Sequence, residues 1–337
     1  MFPKKTKKPQ KKVFEKSKTQ KAPINSSSDE QAQLPKNTGN LAPLRGMKDI
    51  TTKDEIYWHT LYNRIEAICN AYGFGYMETP VLEEASLFSK TIGRDTDVVG
   101  KEMYVFEDRD GTRVALRPEW TAGVVRSYIS NGMHTWPQPI KVWSYGPIFR
   151  HERPQAGRLR QFHQFGCETI GDRHPGADAE LIVLAYNFLK ELGINTSIYI
   201  NSIGNLEDRQ NYTVELVGYL RSKRSYLCEN CKKRITKNPL RVLDCKIVSC
   251  AQMVLEAPKI IDWLSESSKN YFMKVLECLD ALEVPYALKS TLVRGLDYYT
   301  DTVFELYEEG NTERAQSALG GGGRYDNLIA QMGGQAT

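Results

Sequence analysis

Phe149-Arg150-His151-Glu152-Arg153-Pro154-Gln155-Ala156-Gly157-Arg158-Leu159-Arg160-Gln161-Phe162-His163-Gln164-Phe165-Gly166-Cys167-Glu168 is the stretch on which the reading of this chain turns. Extended runs at 140–150 and 160–170 flank Pro154-Gln155-Ala156-Gly157, the composition of a long loop between antiparallel strands. Four arginines fall within eleven residues. Their planar forks suit phosphate oxygens bidentately, and an aromatic offers a face to a base. A solvated basic hairpin explains the arginines alone, but not Gln164 and Glu168 alternating along the same strand face. The ligand this pattern points to is a polyphosphate nucleotide.

Outward from this pair, hairpins and helices alternate. Upstream, 104–106 and 113–116 flank the turn Asp108-Arg109-Asp110-Gly111, and 119–131 reads as a helix. Further back, Thr52-Lys53-Asp54-Glu55 is a capping-box pattern followed by Trp58, Leu61, Ile65, Ile68 and Tyr72 at helical spacing until Gly73. Residues 74–82 then read as a strand interrupted by Pro80. Downstream come a helix at 177–192 and a strand at 197–201. From 206 to 288 the pattern is helical, and sheet patterning resumes at 302–307 and 315–319. Strands joined by hairpins, with helices added, predict an α+β fold: an antiparallel sheet flanked by helices. The expected domains are residues 41–205 with 289–337, and a helical insertion at 206–288.

The first 40 residues stand apart, with ten lysines against three acids, a net +7 that leaves −3 on the rest of a chain carrying +4. Poor in apolar residues, this segment reads as a disordered tail, either solubilising or in contact with a polyanion such as RNA. No apolar run is long enough for a membrane span and no secretory signal opens the chain, so the expected location is the cytoplasm, with no membrane partner. Among the seven cysteines, Cys228-x2-Cys231 and Cys245-x4-Cys250 are separated by thirteen residues. Two readings stand: four thiolates around a tetrahedral zinc, or reduced structural cysteines in a helical insertion.

The stretch beginning Phe149-Arg150-His151-Glu152 resembles motif 2 of the class II aminoacyl-tRNA synthetases. Its continuation, Arg160-Gln161-Phe162-His163-Gln164-Phe165-Gly166, is similar to the histidyl-tRNA synthetases in particular. Three further segments agree in order. Gly73-Phe74-Gly75-Tyr76-Met77-Glu78-Thr79-Pro80 resembles motif 1. Leu116-Arg117-Pro118-Glu119-Trp120-Thr121 resembles the first histidine-binding loop. Arg294-Gly295-Leu296-Asp297-Tyr298-Tyr299 with Gly321-Gly322-Gly323-Arg324-Tyr325-Asp326 resembles the histidine-specific pair. The likeness spans residues 41–334.

This resemblance implies a six-stranded antiparallel catalytic sheet, a homodimer formed partly through the Pro80 strand, and aminoacylation with the partners L-histidine, ATP and tRNA(His). It implies that Arg150 and Arg294 clamp the α-phosphorus as the histidine carboxylate attacks it. Mg²⁺ is expected on the β- and γ-phosphates with Arg158 near the γ end, and Glu152 and Phe162 would hold and stack the adenine. Glu119, Thr121 and Gln164 would accept the α-ammonium, Glu168 and Tyr299 would address the two imidazole nitrogens, and Tyr325 would close the pocket. Such a site rejects near-isosteres, because its buried polar groups would lose their partners. The glycine run 320–323 lacks the ending of a P-loop and reads as close backbone approach to the bound amino acid.

Departures from the family are visible too. Trp120 replaces the small residue expected there, a bulky indole that the site tolerates if it points outward. Motif 3 and the anticodon-binding domain do not follow within the sequence, so the expectation is a synthetase truncated at its C-terminus, with an open sheet edge and weak or absent activity, or an inactive synthetase fragment. Two other readings are the synthetase-like regulatory subunit of ATP phosphoribosyltransferase, which senses histidine, and an RNA-binding module. The presence of Arg150, Arg158 and Arg294 favours the enzyme.

Overall fold

The computed structural model describes residues 41–93, 96–154, 157–310 and 318–335; the lysine tail at 1–40, the loop tip at 155–156 and much of the strand expected at 315–319 lie outside them. Helix α1 (Glu55–Ala71) starts later than its capping pattern suggests. Asp54 reaches back instead, its Oδ2 accepting from the Thr51 amide at 3.0 Å and hydroxyl at 2.9 Å. The buried stripe Ile65, Ile68 and Cys69 packs on Phe74, Trp143 and Phe188.

The centre is a hairpin of two ten-residue strands, β5 (Ile140–Phe149) and β6 (Gln161–Ile170), paired antiparallel from Ile140 opposite Ile170 to Phe149 opposite Gln161. Short β1 (Gly75–Tyr76) runs parallel to β5. Ahead of the hairpin lie β2 (Leu82–Glu84), α2 (Ala85–Thr91), β3 (Val105–Glu107), β4 (Arg113–Leu116) and α3 (Thr121–Ser130), the three strands forming the sheet β2-β4-β3. After it come α4 (Pro175–Glu191), β7 (Thr196–Ser202), α5 (Leu206–Ser222), α6 (Glu229–Lys237), α7 (Val248–Leu255) and α8 (Glu266–Ala281). The described chain closes with β8 (Ala287–Leu288), β9 (Thr300–Glu308), β10 (Ala318–Arg324) and α9 (Leu328–Gln331).

The antiparallel pairing expected from the sequence holds for the long strands, but the continuous six-stranded sheet does not. The strands divide into β1-β5-β6 and β10-β9-β7-β8. No strand among the described residues pairs with the outer edges of β6 or β10. Side chains bridge the two sheets instead. Arg324 donates to the Asp172 carbonyl at 2.8 Å and pairs with Asp178 at 2.9 Å, and Tyr325 donates to Glu168. Helix α8, at the end of the segment read as an insertion, packs Phe272, Val275 and Leu279 with Ile182 of α4 and with Ile198 and Leu306 of the sheet. The glycine run is a strand, in which a Cβ on Gly321 would lie 2.6 Å from the Phe304 carbonyl and 2.7 Å from Arg294 Nη1. Close approach is what these glycines permit.

Candidate active site

The loop between β4 and α3 is anchored by Arg117, a buried arginine whose Nε donates to the Pro147 carbonyl at 2.9 Å and Nη1 to the Thr79 carbonyl at 2.6 Å. Its guanidinium lies 3.9 Å from the Trp120 ring. Trp120 does not point outward; the fold accommodates it inside. It is 2% exposed, its Nε1 donates to the Gln164 carbonyl at 3.1 Å, and its indole lies beside Gly146 and Gly166, where two strands lack a Cβ. Truncation to alanine, Trp120→Ala, is expected to lower stability by about 3–5 kcal/mol, read by urea unfolding.

Glu119 folds back on the start of α3, its oxygens accepting from the Thr121 amide at 2.7 Å and the Ala122 amide at 2.8 Å. The Tyr298 hydroxyl donates to the same carboxylate at 3.4 Å. Thr121 then donates its hydroxyl to Glu168 at 2.8 Å, and Tyr325 donates to the other Glu168 oxygen. Glu119, Thr121, Glu168 and Tyr325 therefore converge on one pocket, walled by the rings of Tyr298 and Tyr299 with centroids 4.6 Å apart.

Its electrostatics are unusual. Burial raises both carboxyls, Glu119 despite its backbone hydrogen bonds, and Glu168 to about 7 with the charge of Glu119 adding to the effect. Two buried acids that, among the described residues, are hydrogen-bonded by amides and hydroxyls and by no cationic side chain make a place where positive charge or N–H donors are needed. A carboxylate has about four lone-pair directions, so acceptors remain.

Two further buried groups lack partners. Gln164 Oε1 is an acceptor and Arg294 Nε a donor, neither satisfied within the protein. Arg294 pairs through Nη1 with Glu305 and lies 5.9 Å from the Tyr299 ring. Its partner is Glu305 rather than the nearby Asp297, whose Oδ1 accepts from Asn238 at 2.9 Å.

On the arginine-rich side, Arg150 donates Nε to the Pro118 carbonyl at 2.8 Å and sits 5.5 Å from the Phe162 ring. Glu152 and Arg158, both half-buried, form an ion pair at 2.6 Å. The pair uses one guanidinium nitrogen and one carboxylate oxygen, so each side chain keeps further donors or acceptors for a ligand. Three histidines have local structural roles: His163 stands 4.5 Å from the Trp58 ring, His151 lies edge-on to Tyr104, and His174 caps α4, its Nδ1 accepting from the Gly176 amide.

Sequence reasoning missed Arg117, Tyr298 and Glu305. Tyr298 had a signal, the doubled aromatic beside Tyr299. Glu305 and Arg117 had none, since an acid in a strand and an arginine before a proline are ordinary.

With its arginine-bearing hairpin and buried acidic pocket so arranged, the chain has the catalytic fold of the class II aminoacyl-tRNA synthetases. The family model described as histidyl-tRNA synthetase matches residues 46–207 and 241–337. A histidine–tRNA ligase of Dehalococcoides mccartyi is 46% identical over 294 residues, covering 87% of this chain and 70% of that protein. Apo histidyl-tRNA synthetase of S. aureus superposes with a TM-score of 0.71 at 35% identity, over 88% of this chain and 69% of that one. A Bacillus halodurans protein described as an ATP phosphoribosyltransferase regulatory subunit/histidyl-tRNA synthetase shares the fold, with a TM-score of 0.63 at 22% identity, over 87% of this chain and 78% of that one. The chain belongs to the histidyl-tRNA synthetase family.

Proposed function

We infer that this chain is a histidine–tRNA ligase, an enzyme that joins histidine to ATP as histidyl-adenylate with release of pyrophosphate, then passes the histidyl group to tRNA(His) with release of AMP. The observation that carries the reading is the pairing of unmet needs in one site. Buried acceptors on Glu119, Glu168 and Gln164 suit the ammonium and imidazole N–H groups of histidine, and the buried Arg294 Nε suits a carboxylate or phosphate oxygen.

In this reading Glu119, Thr121 and Gln164 hold the ammonium, Glu168 and Tyr299 meet the imidazole, and Tyr325 closes over it by way of Glu168. Arg150 and Arg294 stabilise charge on the α-phosphorus, Arg158 meets the γ-phosphate, and Glu152 and Phe162 hold the adenine. Mg²⁺ belongs to the same proposal, offsetting charge on the β- and γ-phosphates. The regulatory-subunit reading gains nothing from the site, because a histidine sensor has no need of arginines aimed at phosphate.

A cytoplasmic homodimer completes the proposal. Among the described residues no helix is long and apolar enough to cross a membrane. Tyr76 of β1, Leu82 of β2 and Phe106 of β3 are 51%, 45% and 47% exposed, apolar side chains available to a second copy. Sedimentation at micromolar concentration is expected to give a dimer, and Phe106→Asp a monomer.

The ligase is tested by histidine-dependent ATP–pyrophosphate exchange with Mg²⁺. Exchange that requires histidine and no other amino acid supports the reading, and calorimetric binding of histidine without exchange would instead favour a sensor.

A further inference from the structure

Four of the five cysteines of the helical segment come together. Sγ atoms of Cys228, Cys231, Cys245 and Cys250 all lie within 4.8 Å of one another, and none is in a disulfide. Cys228 caps the start of α6, its sulfur accepting from the Cys231 amide at 3.4 Å, and Cys250 accepts from the Cys228 amide at 3.1 Å. Cys231 and Cys250 are fully buried. From these contacts we propose that the chain holds one Zn²⁺ in a four-thiolate site at the join of α6, the 3-10 turn Pro239–Val242 and α7.

Size selects the metal class. Zinc–sulfur bonds of about 2.3 Å in a tetrahedron place sulfurs about 3.8 Å apart, so a cluster within 4.8 Å closes on a single ion with little movement. Four-iron clusters need a wider cage of sulfurs, and a disulfide a narrower pair. Charge fits as well. Four thiolates and a divalent ion leave −2, and residues 228–250 carry six lysines and arginines against two acids. The segment also needs a staple, because α6 and α7 are only nine and eight residues long.

What the staple holds is the floor of the histidine pocket. Asn238, following α6, donates to Asp297 at 2.9 Å, and Arg241 of the 3-10 turn lies under Gly295, 3.7 Å from where a Cβ would be. Arg234 of α6 pairs with Asp97 at 2.7 Å. The apolar core runs unbroken from Cys231 and Cys250 to Tyr298 and Tyr299. Zinc therefore acts here as a structural ion that positions the Arg294–Tyr299 loop from behind. The family model matches residues 46–207 and 241–337, so the first cysteine pair lies outside the matched residues and the second pair inside them.

Elemental analysis of the full chain purified without chelator is expected to find about one zinc per chain. Cys231→Ser should fall to background, while Cys278→Ser, outside the cluster, keeps the metal. Cobalt substitution gives a second readout that does not depend on the variants folding: the thiolate-to-metal absorption of a tetrahedral four-sulfur centre. Neither measurement requires ligase activity. Metal-free protein with native circular dichroism, iron in place of zinc, or paired disulfides by mass spectrometry would each overturn the site. For the positioning role, Asn238→Ala should raise the KM for histidine several-fold with kcat little changed and zinc retained. An unchanged KM both in this variant and after zinc removal would overturn that role.

Discussion

Arg294→Ala is expected to lower histidine-dependent pyrophosphate exchange by about 10²–10³-fold, the loss seen when one preorganised donor to a developing charge is removed. The guanidinium is buried, held on one side by Glu305 and given room by the absent side chain of Gly321, so it sits in place before substrate arrives. Its Nε has no protein partner, and a donor kept dry without an acceptor is costly unless a ligand supplies one. Arg294→Lys should recover little, because one ammonium cannot both pair with Glu305 and present a second donor in the same plane. Exchange within twofold of the parent chain in Arg294→Ala would remove this residue from the chemistry.

Glu168→Gln carries the second large effect, and it has two opposite signs. Histidine affinity should fall about 10–100-fold, the worth of a hydrogen bond to a charged acceptor. Stability of the ligand-free protein should rise above pH 7. Burial keeps the proton on the folded carboxyl up to about pH 7, against an ordinary value of 4.5. Between those values the folded state binds more protons than the unfolded, so stability present below pH 4.5 is lost as pH climbs through 7. Charging this site thus costs on the order of 3 kcal/mol at pH 8, and the glutamine escapes it. Thermal melts at pH 5 and pH 8 check the sign: the variant should gain on the parent chain only at the higher pH. Histidine binding by the parent chain should weaken below pH 7, as the carboxylate acceptor is lost. Equal melting of both proteins at pH 8 would mean Glu168 is not held in a desolvated pocket.

Both effects arise from residues that the sequence singles out, for reasons that do not reach their partners. Arg294 stands in a recognisable segment, but Glu305 lies eleven residues on with nothing to mark it, and only the pairing of β9 with β10 brings Gly321 against the guanidinium. Glu168 alternates with Gln164 on a strand, a pattern visible in the sequence, while the hydroxyls that bind it come from Thr121 and Tyr325 on other elements. Trp120 shows the converse. A bulky indole in this loop reads as tolerable if it points outward, because nothing local reveals that Gly146 and Gly166 leave a slot for it.

Local order was legible from the sequence alone: the β5–β6 hairpin, the β3–β4 turn, the principal helices and the class of ligand the arginines suit. These depend on periodicity and turn chemistry within a few residues, where backbone geometry alone decides which side chains share a face. Tertiary structure alone decided the division into two bridged sheets, the burial that lifts Glu168, and the closure of four cysteines into one cluster. Each depends on distances between segments far apart along the chain, and those distances are set by how whole faces pack, which spacing in sequence does not encode.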